Sequence, residues 1–444
     1  MPVVRRAVAV LLPSPPTTVQ DMAHYTSPLA ESLAPGLLER FVRYVRIDTQ
    51  SKRDRARSPS TPGQLELAAL LVGELLEIGL ADAALDDNGY VTATLPAAGG
   101  ADAATAIGLV AHVDTSPDAP GAGVEPIVHR DYGGDIVALP RNATRLDPAT
   151  EPHLASRVGH DIVTSSGDTL LGADDKAGVA EIVTAIAHLQ AHPELPRPTI
   201  RVCFTPDEEI GEGATLFDVA AFGARCAYTM DGSSLGEIQD ETFSALEATI
   251  TITGVDVHPG FATGILVNAA RVAARIVAAL PQDRLTPEST SAREGFIHVY
   301  ELSGDASRAR VRAILRDFDD ELLAGHAELL RTTAEAIVDA VPGATLALDV
   351  VEQYPNMRAH LAPFPEVVEH AVAAIRAEGL EPLREPIRGG TDGSRLSAMG
   401  LPTPNIFTGG HAYHSVREWV SLQDMAAAAA VIVRLAGEWA SPPA

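Results

Sequence analysis

The chain has 444 residues, 46% hydrophobic and 21% charged, enough for two or three globular domains with sizeable cores. Its formal charge of −26 excludes the basic footprint that nucleic acid or an anionic membrane surface requires. Cys203 and Cys226 are too few for a disulfide framework or a thiolate zinc site, which fits a reducing cytoplasm and leaves His, Asp and Glu as the metal ligands available.

At the start, Arg5-Arg6 followed by Ala7 to Leu12 has the outline of a signal peptide. The apolar run is too short, Pro13, Pro15 and Pro16 end it, and no small-residue cleavage site follows. Residues 1–36 are therefore expected to be an N-terminal extension without fixed structure, with Met22 as an alternative start. Leu37, Leu38, Phe41, Val42 and Val45 recur at helical spacing, and Asp48 to Pro62 reads as a polar loop. Thr61 caps a second helix with Pro62 in its first turn and Leu67, Leu71, Leu75 and Leu76 inward. Asn88-Gly89 marks a tight turn into the strand Tyr90 to Leu95, and Ile107 to Ala111 forms the next strand. A long Pro- and Gly-rich excursion runs from Thr115 to about Ser166, and loops of such length usually surround function. Thr169 to Leu171 reads as a short strand, Asp174 to Leu189 as an amphipathic helix with acids at its positive end, and Thr199 to Phe204 and Ala227 to Met230 as strands. This βα alternation predicts a mostly parallel sheet.

From about Asp240 the rhythm becomes β-α-β-β-α-β: strands at Leu246 to Ile252, Phe296 to Glu301, Ala309 to Arg316 and Ala344 to Glu352, with helices at Gly264 to Leu280 and Phe318 to Val341. That order describes a ferredoxin-like module over residues 241–352, inserted between catalytic halves at 37–240 and 353–444. The second half resumes with the helix Pro365 to Ala377 and the strand Asn405 to Phe407. No apolar run reaches the ~18 residues of a membrane helix. The nearest, Met425 to Ala436, is alanine-rich and interrupted by Arg434.

Chemistry gathers after strands. His112-Val113-Asp114, Asp174-Asp175, Glu208-Glu209, Asp231 and His414 each follow one, so parallel strands would bring all five sites to one sheet edge, where open α/β sheets bind ligands. At ~4 Å two carboxylates repel by roughly 1 kcal/mol in water and about 4 at an effective dielectric of about 20, so such a cluster calls for a cation or a shared proton. Nitrogen and oxygen donors without thiolate suit zinc, manganese or cobalt. Of Glu208 and Glu209, one can hold a metal while the other handles the proton of a water, the division of labour that metal-assisted hydrolysis requires.

Six stretches make the likeness specific: His112 to Asp118, Leu171 to Gly178, Thr205 to Gly211, Tyr228 to Gly232, His258-Pro259-Gly260 and Arg388 to Gly393. With them the chain resembles the peptidase T family of the dinuclear-zinc exopeptidase superfamily, which also includes glutamate carboxypeptidases, aminoacylases and succinyl-diaminopimelate desuccinylase. The resemblance implies an α/β zinc-exopeptidase catalytic domain and an inserted ferredoxin-like lid and dimerisation domain. It implies two zinc ions (cobalt or manganese as alternatives), one held by His112, Asp174 and Asp231 and the other by Asp174, Glu209 and His414, with Asp174 bridging. Three ligand carboxylates and one deprotonated water balance two divalent ions, which leaves Glu208 as general base. Asp114 would orient the His112 ring, and the Asp174-Asp175 peptide would be cis. His411 stands where the family usually has Tyr and competes with His414 as ligand; Tyr413 keeps the family register for His414 and leaves His411 as a rim residue. Asp256 and Ser415 also depart from the family's usual Asn and Gly. His258 would stabilise an oxyanion, within the chain or in the active site of a homodimer partner. Arg388 would take a substrate carboxylate, and Asn268 would contribute to the same pocket. The activity implied is removal of the N-terminal residue from tripeptides, with a related carboxypeptidase, dipeptidase or N-acyl amino acid deacylase as the alternative.

Overall fold

The computed structural model describes residues 24–53 and 57–440, so the signal-like stretch and Met22 lie outside the described residues. The first helix, Pro28–Tyr44, begins well before residue 37 and corrects the extent of the expected N-terminal extension. Pro35-Gly36 reads in sequence as a breaker, yet Ala30, Leu33, Ala34, Leu37, Phe41 and Tyr44 form one buried stripe at helical spacing across it. Burial of that stripe outweighs the hydrogen bond that Pro35 cannot donate. Ser27 caps the helix through the Ala30 amide.

The main sheet has eight strands, and its four central ones, Ile200–Thr205, Ile107–His112, Cys226–Gly232 and Asn405–Phe407, are mutually parallel. Antiparallel pairings flank them, with Val91–Leu95 on one side and Glu237–Gln239 on the other. The sheet is therefore mixed, and parallel where His112, Glu208-Glu209 and Asp231 emerge; Asp174 and His414 come from outside it. Helices Pro28–Tyr44, Ala173–Ala191 and Leu422–Glu438 pack together in the main core. The last of these is alanine-rich and buried almost all round, so small side chains let it sit inside the fold. Among the described residues no helix is long and apolar enough to cross a membrane.

The second unit is a four-stranded antiparallel sheet in the order Phe296–Gly304, Arg308–Asp317, Ser244–Thr253, Thr345–Tyr354, with its own core against helices Ala269–Ala279 and Asp320–Asp339. This is the expected β-α-β-β-α-β module. Its first helix starts at Ala269, five residues later than Gly264, because Val267 still bridges to Val255 and Asn268 serves as the cap. The long excursion carries the short strands Ile127–His129 and Ile162–Thr164, which form one sheet with Gly410–His411 and Trp419–Ser421 around the His414 loop. Thr169 to Leu171 is not a strand: the Leu170 amide donates to the Pro120 carbonyl at 2.9 Å and the Leu171 amide to a buried carboxylate, so no neighbouring strand receives them.

Candidate metal centre

His112 ends its strand, and its Nε2 lies 2.9 Å from Asp174 Oδ1 and 3.8 Å from Asp231 Oδ1. His414 Nε2 lies 2.9 Å from Glu209 Oε2 and 3.3 Å from Asp174 Oδ2, so Asp174 faces both imidazoles with its two oxygens. Ala412 and His414 both hold positive φ, a conformation few side chains adopt, and this folds the loop so that the imidazole reaches the acids. Asp118 Oδ2 stands 3.5 Å from the other His414 nitrogen. The Asp174-Asp175 peptide is cis.

Several groups outside the expected ligand set shape the cluster. Asp114 is fully buried; its Oδ1 accepts the Glu208 amide at 2.9 Å and its Oδ2 the Glu209 amide at 3.2 Å, while His112 Nδ1 bonds the Asp114 main-chain carbonyl at 3.0 Å and lies 3.4 Å from Oδ1. One residue thus fixes the histidine with its carbonyl and the acidic turn with its carboxylate. Asp207, in left-handed conformation before that turn, accepts the Ser60 amide at 2.8 Å and Gln64 Nε2 at 2.8 Å. Asp175 accepts the His112 amide at 3.1 Å and the Gly178 amide at 3.2 Å. A methyl group at Gly178 would lie 2.0 Å from the Met230 carbonyl oxygen, so glycine there lets the helix approach the Asp231 strand. Asp175 also forms a possible donor triplet with His112 and Asp231, a second triplet being His112, Asp174 and Glu209.

The electrostatics are those of too many acids in too little water. Burial pushes Glu208 well above the ordinary glutamate range; His112 pulls it back, and Asp231, Asp392 and Glu209 add to the rise. Burial and the Asp174 charge bring Glu209 to about 7 despite its contact with His414. Asp231 is raised by burial and by Asp174 and Asp175. Burial also opposes ionisation of Asp174, but hydrogen bonds from His112 and His414 outweigh it and hold that carboxyl below its usual range. Burial works against protonation of His414, yet Asp174 and Glu209 raise it to about 11. Glu209 Oε1 is buried with no hydrogen-bond partner among the described residues, and a carboxylate oxygen left so needs a cation or a proton. Two imidazoles and oxygen donors around that orphaned atom fit divalent metal.

A family pattern for Peptidase family M20/M25/M40 matches residues 170–438. Peptidase T of Bacillus velezensis is 47% identical over 401 residues, covering 90% of this chain and 97% of the relative. Peptidase T of Aliivibrio salmonicida is 46% identical over 400 residues, with 90% and 97% covered. The chain belongs to the peptidase T family of the M20/M25/M40 peptidases. Membership makes it a metallo-exopeptidase, a hydrolase. Its fold is shared with aminopeptidase PepT of Bacillus cereus at a TM-score of 0.70 and 23% identity, over 92% of this chain and 99% of that one. A tripeptidase of Staphylococcus aureus matches at a TM-score of 0.72 and 20% identity, over 92% and 98%.

Other expected residues lie elsewhere. His411 is buried, not on a rim: its ring stacks on His153 and leans on Trp419, each at 4.5 Å between centroids, and burial lowers its pKa to about 3. His258 is exposed and its Nδ1 accepts the Gly260 amide at 3.1 Å; Asn268 Oδ1 accepts the Arg271 amide at 2.9 Å. Both contacts are local to the inserted module. Arg388 sits where module and catalytic domain meet, 5.7 Å from the ring centroids of both Phe243 and Phe296. Its Nη2 donates to Thr290 Oγ1 at 2.9 Å and the Glu294 carbonyl at 3.1 Å, while Nε and Nη1 make no hydrogen bond with the described residues.

Proposed function

We propose that the chain is a zinc-dependent aminotripeptidase of the cytoplasm, releasing the N-terminal residue of tripeptides at a two-ion centre held by His112, Asp174, Asp231, Glu209 and His414. The observation that carries this reading is Asp174, whose two oxygens face His112 and His414 at 2.9 and 3.3 Å in a cluster that also contains Asp231 and Glu209. When bound, the ions would supply Lewis-acid polarisation of the scissile carbonyl and acidify the attacking water. The rest falls to the chain. Asp114 holds the Glu208 and Glu209 amides, which fixes the turn that carries both side chains. Glu209 reaches His414, whereas the Glu208 carboxylate makes no hydrogen bond with the described residues. Glu208 takes a proton from the attacking water and delivers it to the departing amine.

Tripeptide preference is supported by the naming of one structural neighbour as a tripeptidase, and it comes to this chain as part of the proposal. Mass-spectrometric digestion of di-, tri- and tetrapeptides by the zinc-loaded chain tests it. Release of the N-terminal residue, fastest from tripeptides, is the expected result; cleavage confined to N-acylated substrates would replace the reading with the deacylase alternative.

A further inference from the structure

Glu418 lies four residues beyond His414, and its side chain is buried. Its Oε2 accepts the amides of Leu171 and Gly172 at 2.7 and 2.8 Å, and its Oε1 accepts the amide of Asp174 at 3.0 Å. Those amides lead into the helix Ala173–Ala191, whose cap residue Gly172 offers no side-chain acceptor. Asp174 and Asp175 hold non-helical φ and ψ, so regular helix follows them and Glu418 takes the amides of the chain that enters it, buried donors that need an acceptor. Lys176, also buried, adds a favourable charge nearby and donates to the Ile47 carbonyl at 2.8 Å. The backbone of Glu418 grips the other loop: its amide donates to the Ser415 carbonyl at 3.2 Å, closing the turn that follows His414. One residue therefore holds the backbone of Asp174 with its side chain and the His414 turn with its main chain.

We propose that Glu418 is a positioning residue that sets the spacing between the Asp174 carboxylate and the His414 imidazole, 3.3 Å apart here, and thereby the affinity of the centre for its more weakly held ion. The inference rests on the two-ion reading above. Glu418→Gln keeps the size of the side chain but turns an NH2 group toward amides that need an acceptor. In chelator competition the variant should hold the weaker zinc about 10- to 100-fold less tightly than wild type, the range seen for groups that orient metal ligands. The rise in melting temperature on adding zinc should shrink in parallel. A purely structural role would lower the melting temperature of metal-free and zinc-loaded protein alike and leave that rise unchanged, and wild-type affinity for both ions with an unchanged rise overturns the inference alone. A wild-type chain that binds no zinc overturns the reading beneath it as well. If the variant does not fold, hydrogen exchange on the wild-type chain decides: segments 170–175 and 412–418 should gain protection together on zinc addition, and protection of one without the other contradicts the coupling.

Discussion

Glu208→Ala should retain two metal ions per chain and lose about 10²-fold or more in kcat, whereas Glu209→Ala should lose metal as well. The two acids are adjacent in sequence and share one anchor, the Asp114 carboxylate on their amides, so their separation is a matter of side-chain direction. Glu209 Oε2 meets His414 at 2.9 Å and its other oxygen has no partner among the described residues, as the proposed ligand role requires. The Glu208 carboxylate makes no hydrogen bond with the described residues, so on the proposed mechanism its removal would take away the proton acceptor and leave the proposed ligands in place. Kinetics combined with elemental analysis of the two variants separates these roles. Equal metal loss in both would refute the division.

Tripeptides should be cleaved about 10- to 150-fold better in kcat/KM than peptides one residue shorter or longer, the penalty for losing one charge-assisted contact of roughly 1.5 to 3 kcal/mol. On the proposed reading the acids near the metal centre would hold a free α-ammonium, and Arg388, whose Nη2 is tied to Thr290 and Glu294, would present Nε and Nη1 to the far carboxylate. Each extended residue adds about 3.3 to 3.6 Å, so a fixed distance between the two charges works as a ruler. Amidating the carboxylate should remove most of the preference, and Arg388→Ala should flatten it with both ions still bound. Because Arg388 also rests against Phe243 and Phe296, the melting temperature of the variant must be measured beside the kinetics. Equal cleavage of free and amidated tripeptides by the wild-type chain would dismiss the ruler.

The sequence discloses the strand ends well, because a short apolar run followed by His or acid is a local signal. Asn405–Phe407 and the helix Pro365–Ala377 fall where periodicity places them, and the module's strand order follows from its rhythm. What escapes is set by contacts distant in the chain. Glu418 is a lone acid before Trp419 with nothing local to mark it, and its three amide partners lie over 240 residues away. Leu170 and Leu171 look like strand residues because they are apolar and buried, but burial in a loop has the same sequence signature when carboxylates and carbonyls take the amides. Asp114 is legible as a neighbour of His112, yet its grip on the Glu208-Glu209 turn requires knowing that the two parallel strands are adjacent. His411 shows the converse: proximity to His414 in sequence suggests a shared role, and the strand Gly410–His411 instead turns its ring into the core beside Trp419.

We propose that this centre works as a pair of ions that share Asp174 as a ligand. Metal content by elemental analysis, followed through chelation and stepwise return of zinc with activity measured at each step, decides it. Two ions per chain at full activity, with activity lost on chelation and restored as zinc returns, is the predicted result. Full activity with one ion per chain, or with none, would contradict it.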